Sequence, residues 1–415
     1  MENRSLKKTD PKISELLNKE LERQESHGLE MIASENFVPR AVLEAQGSIL
    51  TNKYAEGYPG DRYYAGCKFH DRIEDLARNR AVDLFNADHV NVQPHSGSQA
   101  NFAAYFSVLD QGDTILGPSL SHGGHLSHGH SVNFSGKLFD FKQYTVDQET
   151  ERFERDHVVE RAVETDPDLI LCGYSSYPRE IPFSAFQEAA EETDAVLMAD
   201  IAHVAGLVSS GVHEDPFPEC DIVTTTTHKT LRGARGGMIM CKEELADRVD
   251  KSVFPFTQGG PLMHQIAAKA VSFRIAQKPR FDSYQRQVVR NAEALAEGLQ
   301  ENGFRLVTGG TDNHLVLVDV STKDLTGKEA ESILEKAGII VNKNVIPFDE
   351  RSPKVASGVR IGTPALTTRG MDQKDLGYVA DLISRALQGE TEAVRSEVEE
   401  LLEEHSLYRD SDIEY

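Results

Sequence analysis

A lysine in the segment TTTTHKTLRGARGG, residues 224–237, has the neighbours that covalent chemistry needs. Threonines leave a predicted strand and carry Lys229 onto a loop, whose glycines let the backbone pass close to another group. A free lysine, with a pKa near ~10.4, is a poor nucleophile at neutral pH, but an aldehyde cofactor can capture it as a Schiff base. The segment alone fits a solvated lysine in a turn better, so its neighbours decide.

An aspartate ends the next apolar run upstream, in VLMADIAHVAG, residues 196–206. Ligands of open α/β sheets gather at the carboxyl ends of strands, where Asp200 would lie with His203 close behind it. An acid there can hold the protonated ring nitrogen of pyridoxal phosphate, which makes that ring an electron sink. The alternative is a helix N-cap, which is the better interpretation of Asp200 taken alone.

Small residues precede an amphipathic stretch in HSGSQAN, residues 95–101. Free N–H groups, hydroxyls and the dipole of a helix N-terminus together favour a phosphate, which makes Ser96, Gly97 and Ser98 candidates. The spacing of a P-loop is absent, and the motif is weak evidence by itself.

Four histidines lie within SHGGHLSHGH, residues 121–130. Their spacing fits no standard zinc site, so we predict no metal. A Gly-Gly-His loop can lay the imidazole of His125 flat on an aromatic ring, which we favour; the alternative is that these are neutral loop histidines.

Two further segments carry polar groups suited to a site. NKYAEGYPGDRYYAG, residues 52–66, sets Glu56 among Tyr54, Tyr63 and Tyr64, which fits an acid/base loop, an interface loop, or both. Arg360 lies within a short apolar strand, GVRIGTP, where bidentate binding of a carboxylate is one use of a guanidinium.

Composition excludes several classes of protein. The 415 residues carry 67 acidic and 44 basic side chains, a net charge of −23, which disfavours nucleic-acid binding. The acid excess fits a moderately acidic soluble enzyme or, as we favour, adaptation to a salt-rich cytosol. No run reaches the ~18 apolar residues of a membrane span, and MENRSLKKTD lacks the apolar core of a signal peptide, so we expect a cytoplasmic protein. Cys67, Cys172, Cys220 and Cys241 are far apart and predict free, buried thiols.

Short apolar runs and amphipathic stretches alternate along the chain, which predicts a mainly parallel sheet covered on both faces. Residues 1–50 are interpreted as an arm, 51–275 as a large domain and 276–415 as a smaller α+β domain that ends in a charged helix and an acidic tail. The predicted strands are 89–93, 114–116, 137–141, 169–172, 196–199, 222–226, 238–241, 315–320, 339–341 and 359–361. The predicted helices include 14–24, 183–192, 274–300, 327–336 and 373–387.

Together these motifs resemble the serine hydroxymethyltransferases, enzymes of fold type I that use pyridoxal phosphate. The most specific stretches are LTNKYAEGYPG, NVQPHSGSQAN, HGGHLSHG, ADIAHVAGLV, TTTTHKTLRG and QGGPLMHQIAAKA. The resemblance implies an α/β fold like that of aspartate aminotransferase, with a seven-stranded, mainly parallel sheet and a smaller C-terminal domain. It also implies a homodimer with shared sites, a tetramer being possible.

The resemblance also assigns roles to residues. Lys229 binds the cofactor covalently, Asp200 pairs with its ring nitrogen, His125 stacks on the ring, and Ser175 and His203 lie near its 3-oxygen. Its phosphate contacts Ser96, Gly97, Ser98 and His228 and, from the partner subunit, Tyr54, Gly259 and Gly260. Arg360 binds the substrate carboxylate with Ser34 and His203, while the partner's Glu56 moves a proton beside Tyr64. The folate contacts are Leu120, Gly124, His125, Leu126, Asn344, Ser352, Pro353 and Lys354.

Two positions depart from the family pattern. Lys354 stands where many relatives carry an aromatic residue beside the pterin. Either its side chain pairs with a glutamyl tail or, as we favour, the substitution has no effect because backbone atoms make that contact. Ala234 replaces a common proline, with no expected change of chemistry.

The implied reaction moves the hydroxymethyl carbon of serine to tetrahydrofolate, giving glycine and 5,10-methylenetetrahydrofolate. The alternatives are a β-hydroxy-amino-acid aldolase or an aminotransferase and, remotely, a non-catalytic binding protein. Because the ligands are anions, Arg360, Lys229, His228 and Arg235 must reverse the sign of the acidic exterior inside the cleft. Tetrahydrofolate and a modified pterin stay undistinguished.

Overall fold

The computed structural model describes residues 5–408, so the predicted acidic tail after residue 408 lies outside the described residues. The strands are β1 (Leu29–Glu30), β2 (Gly57–Tyr58), β3 (Asp61–Arg62), β4 (His89–Asn91), β5 (Thr114–Pro118), β6 (Asp140–Tyr144), β7 (Leu169–Cys172), β8 (Val196–Asp200), β9 (Ile222–Thr226), β10 (Gly237–Cys241), β11 (Arg305–Leu306), β12 (Leu315–Asp319), β13 (Ile339–Ile340), β14 (Asn342–Asn344) and β15 (Gly358–Gly362). The α-helices are α1 (Leu6–Thr9), α2 (Pro11–Glu22), α3 (Arg40–Gln46), α4 (Lys68–Phe85), α5 (Gly97–Val108), α6 (Ser135–Leu138), α7 (Arg155–Thr165), α8 (Phe183–Thr193), α9 (Ala205–Ser209), α10 (Ala246–Lys251), α11 (Met263–Ala276), α12 (Pro279–Glu301), α13 (Gly327–Lys336), α14 (Pro364–Thr368), α15 (Gln373–Leu387) and α16 (Thr391–Glu404).

A seven-stranded sheet in the order β4-β10-β9-β8-β7-β5-β6 forms the centre of residues 89–241. Its strands run parallel from β6 to β9, and β10 runs antiparallel to both β9 and β4. The predicted mainly parallel, seven-stranded sheet is therefore confirmed. One strand prediction, 137–141, is wrong at its start, because the Asn133 side chain accepts from the Ser135 N–H and opens α6, so that β6 begins only at Asp140.

Both faces of this sheet are buried. Successive residues of β7 point to opposite sides: Ile170 and Cys172 pack into one apolar core, Leu169 and Leu171 into the other. Side chains that alternate in this way place a continuous apolar strand between two helical layers.

The C-terminal part has its own sheet, in the order β11-β12-β15-β14, and its own core. The predicted long helix over 274–300 is in fact two helices, α11 and α12. The chain breaks at Lys278, whose backbone is extended (φ −103°, ψ 141°) because the ring of Pro279 disfavours a helical residue before it. Pro279 then fits the first turn of α12, where its missing N–H costs nothing.

The N-terminal segment packs in this C-terminal core. β1 pairs in parallel with β13, and the side chains of Leu29 and Met31 are fully buried there. The predicted strand at 339–341 therefore pairs with the N-terminal segment instead of extending the four-stranded sheet. Within residues 5–408, no helix combines the length and apolar character needed to cross a bilayer.

Candidate active site

A polar cavity of about 390 Å³ opens where β4, β7, β8 and β9 lead into their loops. Parallel strands gather their following loops at one edge, so residues far apart in sequence meet there. The lining residues are Ser34, Glu35, Ser96, Gly97, Ser98, Asn101, His125, His128, Tyr174, Ser175, Asp200, Ala202, His203, Thr226, His228, Lys229, Arg235 and Arg360. Every predicted cofactor residue except Tyr54, Gly259 and Gly260 is among them.

Lys229 lies on the loop after β9 with its side chain in the cavity. Burial lowers its pKa to about 8, against the opposing attraction of Asp200. Such a lysine loses its proton far more readily than a solvated one, which a covalent role requires. The Asn36 amide donates to the Lys229 carbonyl over 3.2 Å and helps to fix this loop.

Asp200 is the last residue of β8 and is held by three donors. Its Oδ2 accepts from Asn101 Nδ2 at 2.9 Å and from His128 Nε2 at 3.0 Å, and its Oδ1 accepts from the Ala202 N–H at 3.0 Å. Burial raises the pKa of this carboxyl, but the His128 and Asn101 contacts outweigh burial and lower it well below its usual range. The helix-cap alternative is wrong, because α9 starts at Ala205 with Val204 as its N-cap.

The start of α5 forms a cradle that could hold a phosphate. Ser96 is the N-cap, and its Oγ accepts from the Gln99 N–H at 3.2 Å. The N–H groups of Gly97 and Ser98, at the start of the helix, have no acceptor within the helix. A Cβ on Gly97 would lie 2.7 Å from Thr226 Cγ2, and a Cβ on Gly237 would lie 2.4 Å from the Ser96 carbonyl oxygen. These contacts explain why glycine occupies both positions.

Cationic and neutral nitrogen groups complete the cradle. Arg235 lines the cavity, and burial, followed by the charges of Arg235 and Lys229, lowers the pKa of His228 to about 3, so its imidazole is neutral. The α5 N–H groups and Arg235 thus match a phosphate, Lys229 matches an aldehyde carbon, and Asp200 matches a protonated ring nitrogen. The donor set fits pyridoxal phosphate.

His125 lies on the loop between a 3₁₀ turn, Leu120–His122, and α6, and it lines the cavity. Burial lowers its pKa to about 4, which leaves a neutral ring suited to stacking. Its Nδ1 lies 2.7 Å from Ser127 Oγ, and the Ser175 N–H donates to the Gly123 carbonyl and so ties this loop to the one after β7. In residues 5–408, no group of three His, Cys, Asp or Glu side chains could hold a metal ion.

Arg360 enters the cavity from β15. Its guanidinium donates to the Ser175 carbonyl at 2.7 Å and to Asn342 Oδ1 at 3.1 and 3.2 Å, yet no carboxylate of residues 5–408 forms an ion pair with it. Burial lowers its pKa to about 10, so it keeps its charge at neutral pH. A buried charge without a counterion is costly, and an anionic ligand would remove that cost.

Five predicted residues lie together outside the cavity, and we call them the outer cluster: Tyr54, Glu56, Tyr64, Gly259 and Gly260. The rings of Tyr54 and Tyr64 have centroids 5.5 Å apart, and a Cβ on Gly260 would lie 3.1 Å from the Tyr54 ring. Glu56 Oε1 is 3.6 Å from the corresponding point on Gly259. Tyr54 is 64% exposed, so this cluster faces outward.

The predicted folate contacts are more dispersed, and of these residues only His125 lines the cavity. Leu126 is 46% exposed on the loop that carries the four histidines (residues 120–130, the histidine loop), where the Gly124 N–H donates to the Ser119 carbonyl. Asn344 belongs to β14 and bonds the Val345 carbonyl through its amide, whereas Ser352, Pro353 and Lys354 are exposed. Leu120 is half-buried at the start of the histidine loop.

Several cavity residues had no role in the prediction: Glu35, Asn101, His128, Tyr174, Ala202 and Thr226. Asn101 lies one helical turn after Gly97, and that i, i+4 spacing was the signal that could have found it. No local pattern separates His128 from its three neighbouring histidines, because only the fold brings it to Asp200.

A family model described as "Serine hydroxymethyltransferase" matches residues 6–383 of the chain. The matched region contains every residue of the cavity and of the outer cluster.

Proposed function

The chain belongs to the serine hydroxymethyltransferase family, and from that premise we propose how its own residues carry out the reaction. It is a transferase that uses pyridoxal phosphate to move the hydroxymethyl carbon of serine reversibly to tetrahydrofolate, producing glycine and 5,10-methylenetetrahydrofolate. The observation that carries the assignment is the match over 6–383, joined in one cavity to a buried lysine and a buried arginine that pairs with no carboxylate of residues 5–408.

Pyridoxal phosphate supplies an electron sink for cleavage of the bond to the hydroxymethyl carbon. We propose that Lys229 holds it covalently and that Asp200 keeps its ring nitrogen protonated. His125 would lie against the ring, Ser175 and His203 near its 3-oxygen, and Ser96, Gly97, Ser98 and His228 around its phosphate. The low pKa of Asp200 supports its role, because an ionised carboxylate is what a ring N–H⁺ requires.

We propose that Arg360 binds the α-carboxylate of the amino acid, with Ser34 and His203 assisting. Support comes from the guanidinium itself, which is buried, charged and without a carboxylate among residues 5–408. His203 is buried and neutral, because burial lowers its pKa well below the usual range. A neutral imidazole can donate a hydrogen bond to an anion without adding charge.

We propose that the site is completed by a second copy of the chain. The outer cluster lies outside the cavity of its own chain, so Tyr54, Gly259 and Gly260 would reach the phosphate in the partner, and Glu56 would move a proton there with Tyr64 alongside. Exposed apolar and aromatic side chains near these segments, including Ile49, Tyr63 and Leu262, support an interface on this side. A tetramer stays possible.

The remaining proposals concern organisation and folate. We divide the chain into an arm (1–50), a large domain (51–275) and a small domain (276–415). Support comes from the C-terminal core, which is separate from the two cores that flank the seven-stranded sheet, although Leu29 and Met31 of the arm pack in it. The folate would be contacted by Leu120, Gly124, His125, Leu126, Asn344 and residues 352–354, and the Lys354 side chain would have no effect on binding.

Four buried free thiols support a reducing, cytoplasmic location.

Exchange of the glycine α-proton and cleavage of serine, each measured with and without tetrahydrofolate, test the function. We expect serine cleavage to depend on the folate, with a tetrahydromethanopterin run in parallel to identify the pterin. Serine cleavage that tetrahydrofolate leaves unchanged would favour the aldolase, and amino transfer to a 2-oxo acid would favour the aminotransferase.

A further inference from the structure

A lysine outside the cavity is buried beneath the phosphate cradle. Lys269, on α11, is 1% exposed, and its ammonium donates to three backbone carbonyls, those of Val92 at 2.6 Å, Gly237 at 2.7 Å and Pro94 at 3.0 Å. A lysine ammonium has three N–H donors, so each proton has an acceptor. No carboxylate of residues 5–408 forms an ion pair with it.

The three carbonyls belong to the segments that shape the cradle. Val92 and Pro94 lie between β4 and the N-cap Ser96, and Gly237 opens β10. The Gly237 N–H also donates to the Pro94 carbonyl at 3.1 Å, and the backbone there passes so close to Ser96 that a Cβ on Gly237 would be 2.4 Å from its carbonyl oxygen. One side chain thus joins the loop that precedes α5 to the strand beside it.

Burying a charged group at this depth is costly. Its presence therefore calls for a role that an apolar side chain could not fill. Burial lowers the pKa of Lys269 to about 7, against the attraction of the buried carboxylate of Glu74. Hydrogen bonds to the three carbonyls favour the ammonium form. Filling space alone would be met by methionine at no electrostatic cost. The charge also contributes, after burial, Arg235 and Lys229, to the lowered pKa of His228 at the cavity wall.

We propose that Lys269 is a positioning residue of the phosphate site. Its ammonium fixes the 92–95 loop so that the Gly97 and Ser98 N–H groups point at the phosphate, and it adds a positive charge beneath them. The proposal rests on the proposed phosphate site at Ser96–Ser98.

The test compares two aldehydes that differ only in the phosphate. Dissociation constants of pyridoxal phosphate and pyridoxal are measured on the apo-protein by absorbance for the wild type, Lys269→Met and Asn291→Leu. Asn291 is a matched control, since it is fully buried and donates to the Thr367 hydroxyl and the Met371 carbonyl in the C-terminal part of the chain. For Lys269→Met we expect the preference for the phosphorylated aldehyde to fall about tenfold or more, with pyridoxal itself changed little.

A second variant keeps the test decisive if Lys269→Met does not fold. A Cβ on Gly236 would lie 2.4 Å from Lys269 Cε, so Gly236→Ala displaces the ammonium without removing it and should weaken the same preference less. Equal weakening of both aldehydes, or an unchanged preference in whichever variant folds, would overturn the proposal. A wild type without any preference would instead refute the phosphate site itself.

Discussion

The cavity around Lys229 and the outer cluster around Tyr54 are built in opposite ways. In the cavity, strand ends bring buried groups together, and Asp200, only 9% exposed, has a hydrogen-bond donor on each of its oxygens. In the outer cluster, side chains contact one another at the surface, and Tyr54 is 64% exposed. One chain therefore preorganises the cavity, whereas the outer cluster would act, on our proposal, only against the surface of a second copy.

The cavity and the exterior of the protein also differ in charge. The cavity is lined by three cations, Lys229, Arg235 and Arg360, against two acids, Glu35 and Asp200, in a protein whose net charge is −23. The buried acids among residues 5–408 are Glu30, Glu74, Glu151, Asp200 and Asp319, so the acid excess lies outside the core, as predicted. The cavity thus reverses the sign of the exterior and favours the entry of anions.

Removing the covalent anchor should produce the largest effect. Lys229→Ala is expected to lower the rate of serine cleavage on the order of 10³-fold or more, because no second lysine lines the cavity within residues 5–408. Steady-state assays with tetrahydrofolate measure the rate, and the yellow cofactor absorbance should vanish. An intact absorbance band would place the covalent bond elsewhere.

Neutralising the acid at the end of β8 should have the next largest effect. Asp200→Asn keeps the shape but removes the negative charge that stabilises a protonated ring nitrogen, so we expect a loss of about 10²- to 10³-fold in turnover. Absorbance titration of the cofactor checks that it still binds. Near-normal turnover would rule out a pairing of Asp200 with the ring nitrogen.

Acid should destabilise the cavity through its histidines. Burial lowers the pKa of His228 to about 3 and of His125 to about 4 from an ordinary 6.5, so the unfolded chain binds more protons between these values. The free energy of unfolding of the apo-protein should fall as the pH drops from 7 to 4, by at most about 1.4 kcal/mol per pH unit for each histidine.

Urea denaturation at a series of pH values measures this slope. His228→Gln should flatten it, because it removes one of these two buried histidines. Equal slopes in the wild type and His228→Gln would contradict the assignment of a buried, neutral imidazole.

Salt should have the smallest effect and act mainly on the exterior. At 1 M salt the Debye length is about 3 Å, so repulsion among the surface acids is screened. We expect the melting temperature to rise by about 5 °C between dilute buffer and 1 M KCl, and activity to rise with it. Full activity and an unchanged melting temperature in dilute buffer would count against adaptation to salt.

Sequence patterns predicted the cavity better than they predicted its supports. The proposed cofactor residues follow apolar strands, and such motifs can be placed at strand ends from the sequence alone. Asn101 and His128, which hold Asp200, come from a helix and a distant loop, and only the packed sheet brings them together. The break at Lys278 was visible in Pro279, but the start of α6 depends on one Asn133 contact that periodicity does not encode.

Mixing two inactive variants tests the central claim, that one site combines the cavity of one chain with the outer cluster of another. Glu56→Gln, which removes the carboxylate proposed to move a proton, and Lys229→Ala are each expected to be inactive alone, and they are unfolded and refolded together. Half of the dimers should be hybrids with one intact site, returning about a quarter of wild-type activity. Lys229→Ala mixed with Asp200→Asn is the control, since both changes lie in one cavity and no hybrid site is intact. Recovery in the first mixture alone is the predicted result, and no recovery in it, from variants that form dimers, would contradict the account.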